Sequence, residues 1–260
     1  MNEIAASQIP DVGQPSLKAI FGVAICDMDR ETALQCLLAA IAKRQHVKLA
    51  FCNAHTANLA WGDADLRQLL AHFMVFADGI GIDIAAKILH GAPFATNLNG
   101  TDFIPALLQA EPKSLTIALY GAAPGVADRA AAAILALAPQ HRIAALCDGF
   151  ADTATISAFL TGLQQNPADI LLVALGNPRQ ERWISEHIDT SHATLAIGVG
   201  ALFDFLAAEV PRAPPWLRQM RLEWLYRLGL EPRRLFRRYV LGNPLFLLRV
   251  ALVKLSLRRF

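Results

Sequence analysis

The side chains able to do chemistry fall in short polar clusters that follow apolar runs. Ala77-Asp78-Gly79-Ile80-Gly81 sets one carboxylate before two glycines, where a backbone can approach a ligand closely. Such a carboxylate serves as a general base when its surroundings raise its pKa toward working pH; otherwise it caps a helix. Phe51-Cys52-Asn53-Ala54-His55-Thr56 offers an amide and an imidazole directly after an apolar stretch, and Asn53 reads either as a ligand contact or as a helix cap. His55 alone among the histidines sits in a suggestive loop. In Asn97-Leu98-Asn99-Gly100-Thr101-Asp102, Thr101 or Asp102 can cap the next helix, and Asn97 stands just ahead. Gly176-Asn177-Pro178-Arg179-Gln180-Glu181 starts a helix at Pro178 and brings Gln180 and Glu181 into its first turn. Asp204 interrupts an apolar run; an unpaired buried carboxylate is costly, so it should face a partner or a ligand.

Other candidates are weaker. The corner Tyr120-Gly121-Ala122-Ala123-Pro124-Gly125 resembles a phosphate cradle, but it is neither a dinucleotide fingerprint nor a Walker loop. Asp27-x-Asp29 and Asp63-x-Asp65 could hold a divalent metal, yet both lie at expected helix starts and read as caps. Cys26, Cys36, Cys52 and Cys147 form no zinc-ligand pair and read as buried thiols in a reducing compartment. No metal site is expected.

These clusters need a scaffold that brings loop ends together. Apolar runs at Val47–Cys52, Phe73–Ala77, Leu115–Tyr120, Arg142–Cys147, Ile170–Leu175 and Ala193–Ile197 read as strands, and they alternate with helical stretches such as Arg30–Lys43 and Ile80–His90. The alternation predicts a Rossmann-like α/β fold: a parallel sheet with helices on both faces. Ligands in such sheets bind beyond the carboxyl ends of the strands, where the polar clusters fall.

The 260 residues are 54% hydrophobic and 18% charged, which excludes disorder as the main state. The longest stretch free of Asp, Glu, Lys and Arg is Thr153–Ala168, too short and too polar for a spanning helix. The N-terminus lacks the pattern of a signal peptide, and a cytoplasmic location is expected. Charge is segregated: residues 1–210 hold 12 basic and 20 acidic residues, whereas 211–260 hold 12 basic and 2 acidic. Three prolines between 210 and 215 mark the break. The expected organisation is a flexible arm over 1–18, an α/β core over 19–209 and a basic amphipathic appendage over 210–260. The cationic appendage suits phosphates or an anionic lipid surface, and its last stretch reads as an interfacial membrane helix or as a docked helix with a solvated basic face.

In order along the chain, Asp78-Gly-Ile-Gly81, Gly100-Thr-Asp-Phe103, Leu175-Gly-Asn-Pro-Arg-Gln-Glu-Arg-Trp183, Gly200-Ala-Leu-Phe-Asp204 and Arg212-Ala-Pro-Pro-Trp216 resemble the WecG/TagA/CpsF family of bacterial glycosyltransferases. The resemblance continues through Leu222–Arg227, Glu231–Arg234 and Arg237-Arg238 and spans about Phe21 to Tyr239. It implies metal-independent, inverting transfer from a UDP-sugar to a polyprenyl-diphosphate-linked saccharide at the inner face of the plasma membrane, in exopolysaccharide, teichoic acid or common antigen assembly. Carried over by position, Asp78 would be the base, and Asn53, Gln180 and Asp204 would line the sugar and nucleotide site, with His55, Asn97, Thr101 and Asp102 beside them. Arg227, Arg234 and Arg237 would clamp the diphosphate. Phe51 and Asn97 stand where relatives of the teichoic acid enzyme usually have Thr and Arg. Both departures touch the expected pocket and favour a sugar other than N-acetylmannosamine, with glucose transfer of the xanthan type as the alternative.

Two readings from other classes fit less. A dinucleotide oxidoreductase needs a glycine fingerprint and a following acidic residue that the chain does not show. A nucleic-acid or lipid adaptor using the basic tail leaves Asp78, Gln180 and Asp204 unexplained; no nucleic-acid partner is expected. An apolar tail also permits a homo-oligomer.

Overall fold

The computed structural model describes residues 16–214, 216–217, 220 and 222–256. Strands β1 (Ser16–Ile20) and β2 (Val23–Asp27) form an antiparallel hairpin. Helix α1 (Arg30–Ala42) follows, capped by Asp29, whose Oδ1 accepts the Thr32 N–H at 2.7 Å. Next come β3 (Val47–Cys52), α2 (Ala54–Gly62), α3 (Ala64–Leu70), β4 (Met74–Ala77), α4 (Ile80–His90) and α5 (Gly100–Ala110). The second half runs β5 (Thr116–Gly121), α6 (Val126–Leu137), β6 (Arg142–Cys147), α7 (Thr153–Gln165), β7 (Ala168–Ala174), α8 (Arg179–His187), β8 (Ala193–Gly198) and α9 (Leu202–Leu206). The appendage contains α10 (Glu223–Leu230), α11 (Pro232–Phe236), a π-helical turn over Arg237–Leu241 and α12 (Gly242–Lys254).

All eight strands form one sheet, ordered β1-β2-β4-β3-β8-β7-β5-β6, parallel except for β1. The expected α/β class is therefore found. The central strands β3, β4, β7 and β8 are buried along nearly their whole length, as a sheet covered on both faces requires. One core lies under α1, α5, α6 and α9, the other under α2, α3, α4, α7, α8 and α12. Parallel pairing sends every strand from β2 to β8 the same way, so the loops after β3, β4, β7 and β8 share one edge of the sheet.

Most of the arm expected over 1–18 lies outside the described residues, but residues 16–18 belong to β1, so the ordered core begins before 19. The hairpin turn is Phe21-Gly22, with φ of 51° and 83°. Left-handed backbone at both turn positions suits hairpin twist. A phenylalanine tolerates it because its ring is buried, 4.9 Å from Trp61 and 5.3 Å from Phe246 between centroids. Asp29 and Asp63 are caps as expected, Asp63 for Leu66 N–H at 2.8 Å. Asp27 is not: it pairs with Lys18 at 2.7 Å and accepts the Ala95 N–H. The four cysteines are free and buried.

The terminal helix α12 packs on the core. Phe246 and Val250 are buried against α2 and α4, and Asn58 donates to the Gly242 carbonyl while accepting from Arg249. Gly81 lies beside this seat: a Cβ there would meet the Phe246 ring at 3.7 Å, an ordinary contact, and the Ala54 Cβ of α2 more tightly at 3.2 Å. The opposite face of the π turn and α12 leaves Leu241, Leu245, Leu248 and Leu255 exposed. The segment is docked, as one of the two readings expected, but its outer face is apolar and not basic. Among the described residues no helix is long and apolar enough to cross a membrane.

Candidate active site

A cavity of about 390 Å³ opens at the carboxyl ends of β3 and β4 and is roofed by the appendage. Its floor carries Asn53, His55, Asp78, Asn97, Thr101 and Asp102; its roof carries Glu223, Trp224, Arg227, Arg238 and Tyr239. Ile80, Ile84, Phe246 and Leu247 form an apolar wall.

Asp78 is held by the backbone on both sides. Its N–H donates to the Cys52 carbonyl at 2.9 Å, and α4, which starts at Ile80, is capped not by Asp78 but by Gly79, with φ of 85°. The side chain is therefore released from capping and turned toward α2, where Asn53 Nδ2 donates to Asp78 Oδ2 at 3.2 Å. Burial pushes the Asp78 carboxyl above the ordinary carboxylate range, and the negative Glu223 and Asp102 add to this. The Asn53 hydrogen bond and the positive Arg238 pull it back. A carboxylate so poised is suited to accept a proton near neutral pH.

Asn53 both caps α2, its Oδ1 accepting from His55 and Thr56 N–H, and binds Asp78. Burial and the nearby Arg238 charge push His55 down to about 4, so its ring is neutral at physiological pH and can take or give a hydrogen bond. Asp102 is tied up: it accepts from Asn99, which caps α5, and from Arg212 at 2.8 Å. Arg212 reaches on to Glu223 at 2.8 Å, so one guanidinium bridges α5 of the core and α10 of the appendage. The Phe205 ring lies between two guanidiniums, Arg212 at 5.2 Å and Arg227 at 5.1 Å. Nε of Arg227 and Nε of Arg238 are buried and have no hydrogen-bond partner among the described residues. Two donors of this kind above a carboxylate are ready for an anion.

Other expected site residues lie apart from this cavity. Gln180 is 1% exposed; its Oε1 accepts the Gly200 N–H at 3.0 Å and its Nε2 donates to Glu181 at 2.9 Å. It locks the loops after β7 and β8 together instead of lining the cavity. Asp204 sits beside Arg227 and Arg234, which oppose the upward push that burial gives its carboxyl. Arg234 pairs with Glu231, and Arg234 and Arg237 border a shallow outer depression with Arg233 and Phe236. Arg238, not Arg237, faces Asp78. Both residues lie in the π turn over Arg237–Leu241, and no sequence pattern announces which of the two points inward. Phe51 lies in the core with its ring against Gly100 and does not line the cavity. Reading alone also missed Glu223, Trp224 and Tyr239; their place in a charged and aromatic segment after the proline break was the available signal. Among the described residues no three His, Cys, Asp or Glu side chains converge as a metal site.

A buried carboxyl at a strand end, facing two arginines with unpartnered Nε–H groups across one cavity of an α/β fold, is a geometry suited to group transfer. The sequence profile described as "Glycosyl transferase WecG/TagA/CpsF family" matches residues 18–260, and the chain belongs to that family. The chain is 33% identical over 184 residues, 70% of its own length and 71% of the relative's, to the N-acetylglucosaminyldiphosphoundecaprenol N-acetyl-beta-D-mannosaminyltransferase of Bacillus subtilis (strain 168). It is 31% identical over 161 residues, 62% of each chain, to the protein of that name from Bacillus spizizenii (strain ATCC 23059 / NRRL B-14472 / W23).

Proposed function

We propose that this glycosyltransferase moves a sugar from a UDP-sugar to a saccharide carried on a polyprenyl diphosphate, with inversion, at the inner face of the plasma membrane. Asp78 takes the proton from the acceptor hydroxyl. The hydroxyl oxygen attacks the anomeric carbon opposite the nucleotide, the carbon–oxygen bond to the diphosphate breaks, and UDP leaves with the bonding pair. Arg227 and Arg238 offer countercharge to diphosphate oxygens, so the mechanism needs no metal. The observation that carries this reading is the meeting of the perturbed Asp78 with the two buried, unpartnered Nε–H groups in one cavity. The apolar outer face of α12, beside the cationic appendage, fits peripheral contact with an anionic membrane.

The names of the two Bacillus relatives favour an N-acetylhexosamine, N-acetylmannosamine in particular, over the glucose alternative. That alternative leaned on Phe51 and Asn97. Phe51 does not reach the cavity, which removes half of its support. The test is a panel of UDP-sugars incubated with N-acetylglucosaminyl-diphosphoryl lipid and with glucosyl-diphosphoryl lipid, followed by product masses. Gain of one N-acetylhexosamine on the first acceptor is expected; gain of a hexose on the second reverses the sugar assignment, and no transfer to either lipid overturns the acceptor class.

A further inference from the structure

Asn97 lines the cavity, but its amide is committed to the protein. Its Oδ1 accepts the Gly79 N–H at 2.9 Å, and its Nδ2 donates to the Gly79 carbonyl at 3.0 Å and to Asp83 Oδ2 at 3.3 Å. A single side chain therefore grips the peptide units on both sides of the Gly79 Cα, the Asp78–Gly79 unit through its N–H and the Gly79–Ile80 unit through its carbonyl. Gly79 has φ of 85° and ψ of 157°, a conformation that only glycine adopts readily, and nothing lies within 4 Å of the place a Cβ would occupy. The grip is thus conformational: the amide clamp holds the loop in a shape that does not hold itself. The loop after β4 is further pinned by Leu98 N–H, which donates to the Ala77 carbonyl at 2.8 Å, so the residues on either side of Asp78 are both tied to the 97–98 segment. With Asn53 on the carboxylate and Asn97 on the next peptide, the base is positioned from two directions.

We infer that Asn97 is a positioning residue for Asp78, acting through the Gly79 backbone, and not a sugar-binding residue. This rests on the base role given to Asp78 above.

The claim separates from a substrate contact by kinetics. Loss of a sugar contact raises a KM; loss of base alignment lowers kcat and leaves both KM values near their starting point. Misplacing a reacting group by about 1 Å can cost on the order of 100-fold. Asn97→Ala and the isosteric Asn97→Asp, which sets a carboxylate oxygen against the Gly79 carbonyl and Asp83, are each expected to lower kcat by about 10- to 100-fold with donor and acceptor KM changed less than about threefold. Gly79→Ala, which strains the same loop without a clash, is expected to give the same pattern. The double variant Asn97→Ala/Gly79→Ala is expected to fall no further than the worse single one, because both changes act on one conformation. Binding of UDP by calorimetry and the thermal transition of each variant separate this from misfolding: UDP binding stays near wild type and the transition stays cooperative, with the midpoint lowered by only a few degrees. A rise in either KM with kcat kept, wild-type turnover in both Asn97 variants, or full additivity with Gly79→Ala overturns the inference. Asp78→Asn is run beside them. If that variant keeps its turnover, the base assignment itself fails; if it is dead while Asn97→Ala is normal, only the clamp fails.

Discussion

Asn53 Nδ2 lies 3.2 Å from Asp78 Oδ2 while Asn53 Oδ1 holds the first turn of α2, so one amide joins a helix start to the buried carboxyl proposed as the base. The hydrogen bond favours ionised Asp78 and works against burial. Asn53→Ala removes it together with the cap. The acidic limb of the pH–rate profile should move to higher pH, and stability should fall by about 1 kcal/mol for the lost cap. Asn53→Ser keeps capping ability and should restore most of the stability but not the profile. An unmoved acidic limb in Asn53→Ala would detach Asn53 from the base.

Asp78 places function and stability in conflict. Its native pKa is raised above the unfolded value of about 3.9, so the unfolded chain ionises first as pH rises and the fold loses stability across the window between the two values. Asp78→Asn abolishes this loss and, under the base assignment, abolishes transfer. Its thermal midpoint should exceed that of wild type near pH 8 and converge with it near about pH 3.5, below both pKa values. A constant difference at both pH values would contradict the raised pKa.

Arg238 and Arg237 are neighbours in sequence with opposite outlooks, one toward Asp78 and His55 and one toward the outer depression. Arg238→Ala should weaken a diphosphate substrate by about 10- to 100-fold in KM, the worth of a charge-assisted contact of about 1.5–3 kcal/mol. It should also raise two pKa values, since the cation now holds both Asp78 and His55 down. The acidic limb of activity then shifts upward, and the His55 titration followed by NMR moves up from about 4. Arg237→Ala should do neither. Equal effects from the two variants would mean that the appendage rearranges on binding substrate.

Much of this was legible in the chain, and the misses have physical causes. The strands β3 and β6 were readable to the residue because apolar runs bounded by turn formers leave little choice. The polar clusters after β3 and β4 and before α5 meet in the cavity, because a parallel sheet gathers loop ends at one edge. The β1–β2 hairpin was hidden: its turn uses Phe21, whose left-handed backbone is sustained by distant Trp61 and Phe246. Gln180 read as a site residue because a buried amide and a ligand-binding amide look alike until Gly200 is seen to occupy it. Arg238 and not Arg237 lines the cavity, and two adjacent arginines in a segment with no periodic pattern give no local signature of which one turns inward.

The appendage is latched to the core at Arg212, which pairs with Asp102 and Glu223 while about a quarter of its side chain stays exposed, 27%. Ion pairs of this partly buried kind matter mainly when one partner is removed, because the others lose their countercharge. Arg212→Ala removes the cation that Asp102 and Glu223 share. The roof should loosen, seen as faster proteolysis between 211 and 222, and the acceptor KM should rise at least several-fold. Arg212→Lys should recover only part of this, since an ammonium cannot reach both acids with a planar fork. Protease resistance unchanged in Arg212→Ala would show that the α12 contacts through Phe246, Val250, Asn58 and Arg249 seat the appendage without the Arg212 latch.

The two faces of α12 make opposite demands, and variants can separate them. Phe246 is 1% exposed and Val250 is 0% exposed, while Leu241, Leu248 and Leu255 are 56%, 57% and 68% exposed. Phe246→Ala should cost about 3–5 kcal/mol, release α12 from Gly81 and Phe21, and reduce activity with lipid-linked and water-soluble acceptors alike. Replacing Leu241, Leu248 and Leu255 together by Ser should leave the thermal midpoint near wild type, since none of the three is packed in the core. It should nevertheless weaken sedimentation with anionic vesicles by about tenfold, the loss of roughly 1.4 kcal/mol of interfacial burial. Activity on a detergent-free lipid acceptor in vesicles should fall with it, whereas activity on a short-chain soluble acceptor should not. Vesicle binding that persists in the triple Ser variant and disappears at high salt would assign the membrane contact to the arginines alone, and the apolar outer face of α12 would then need another partner.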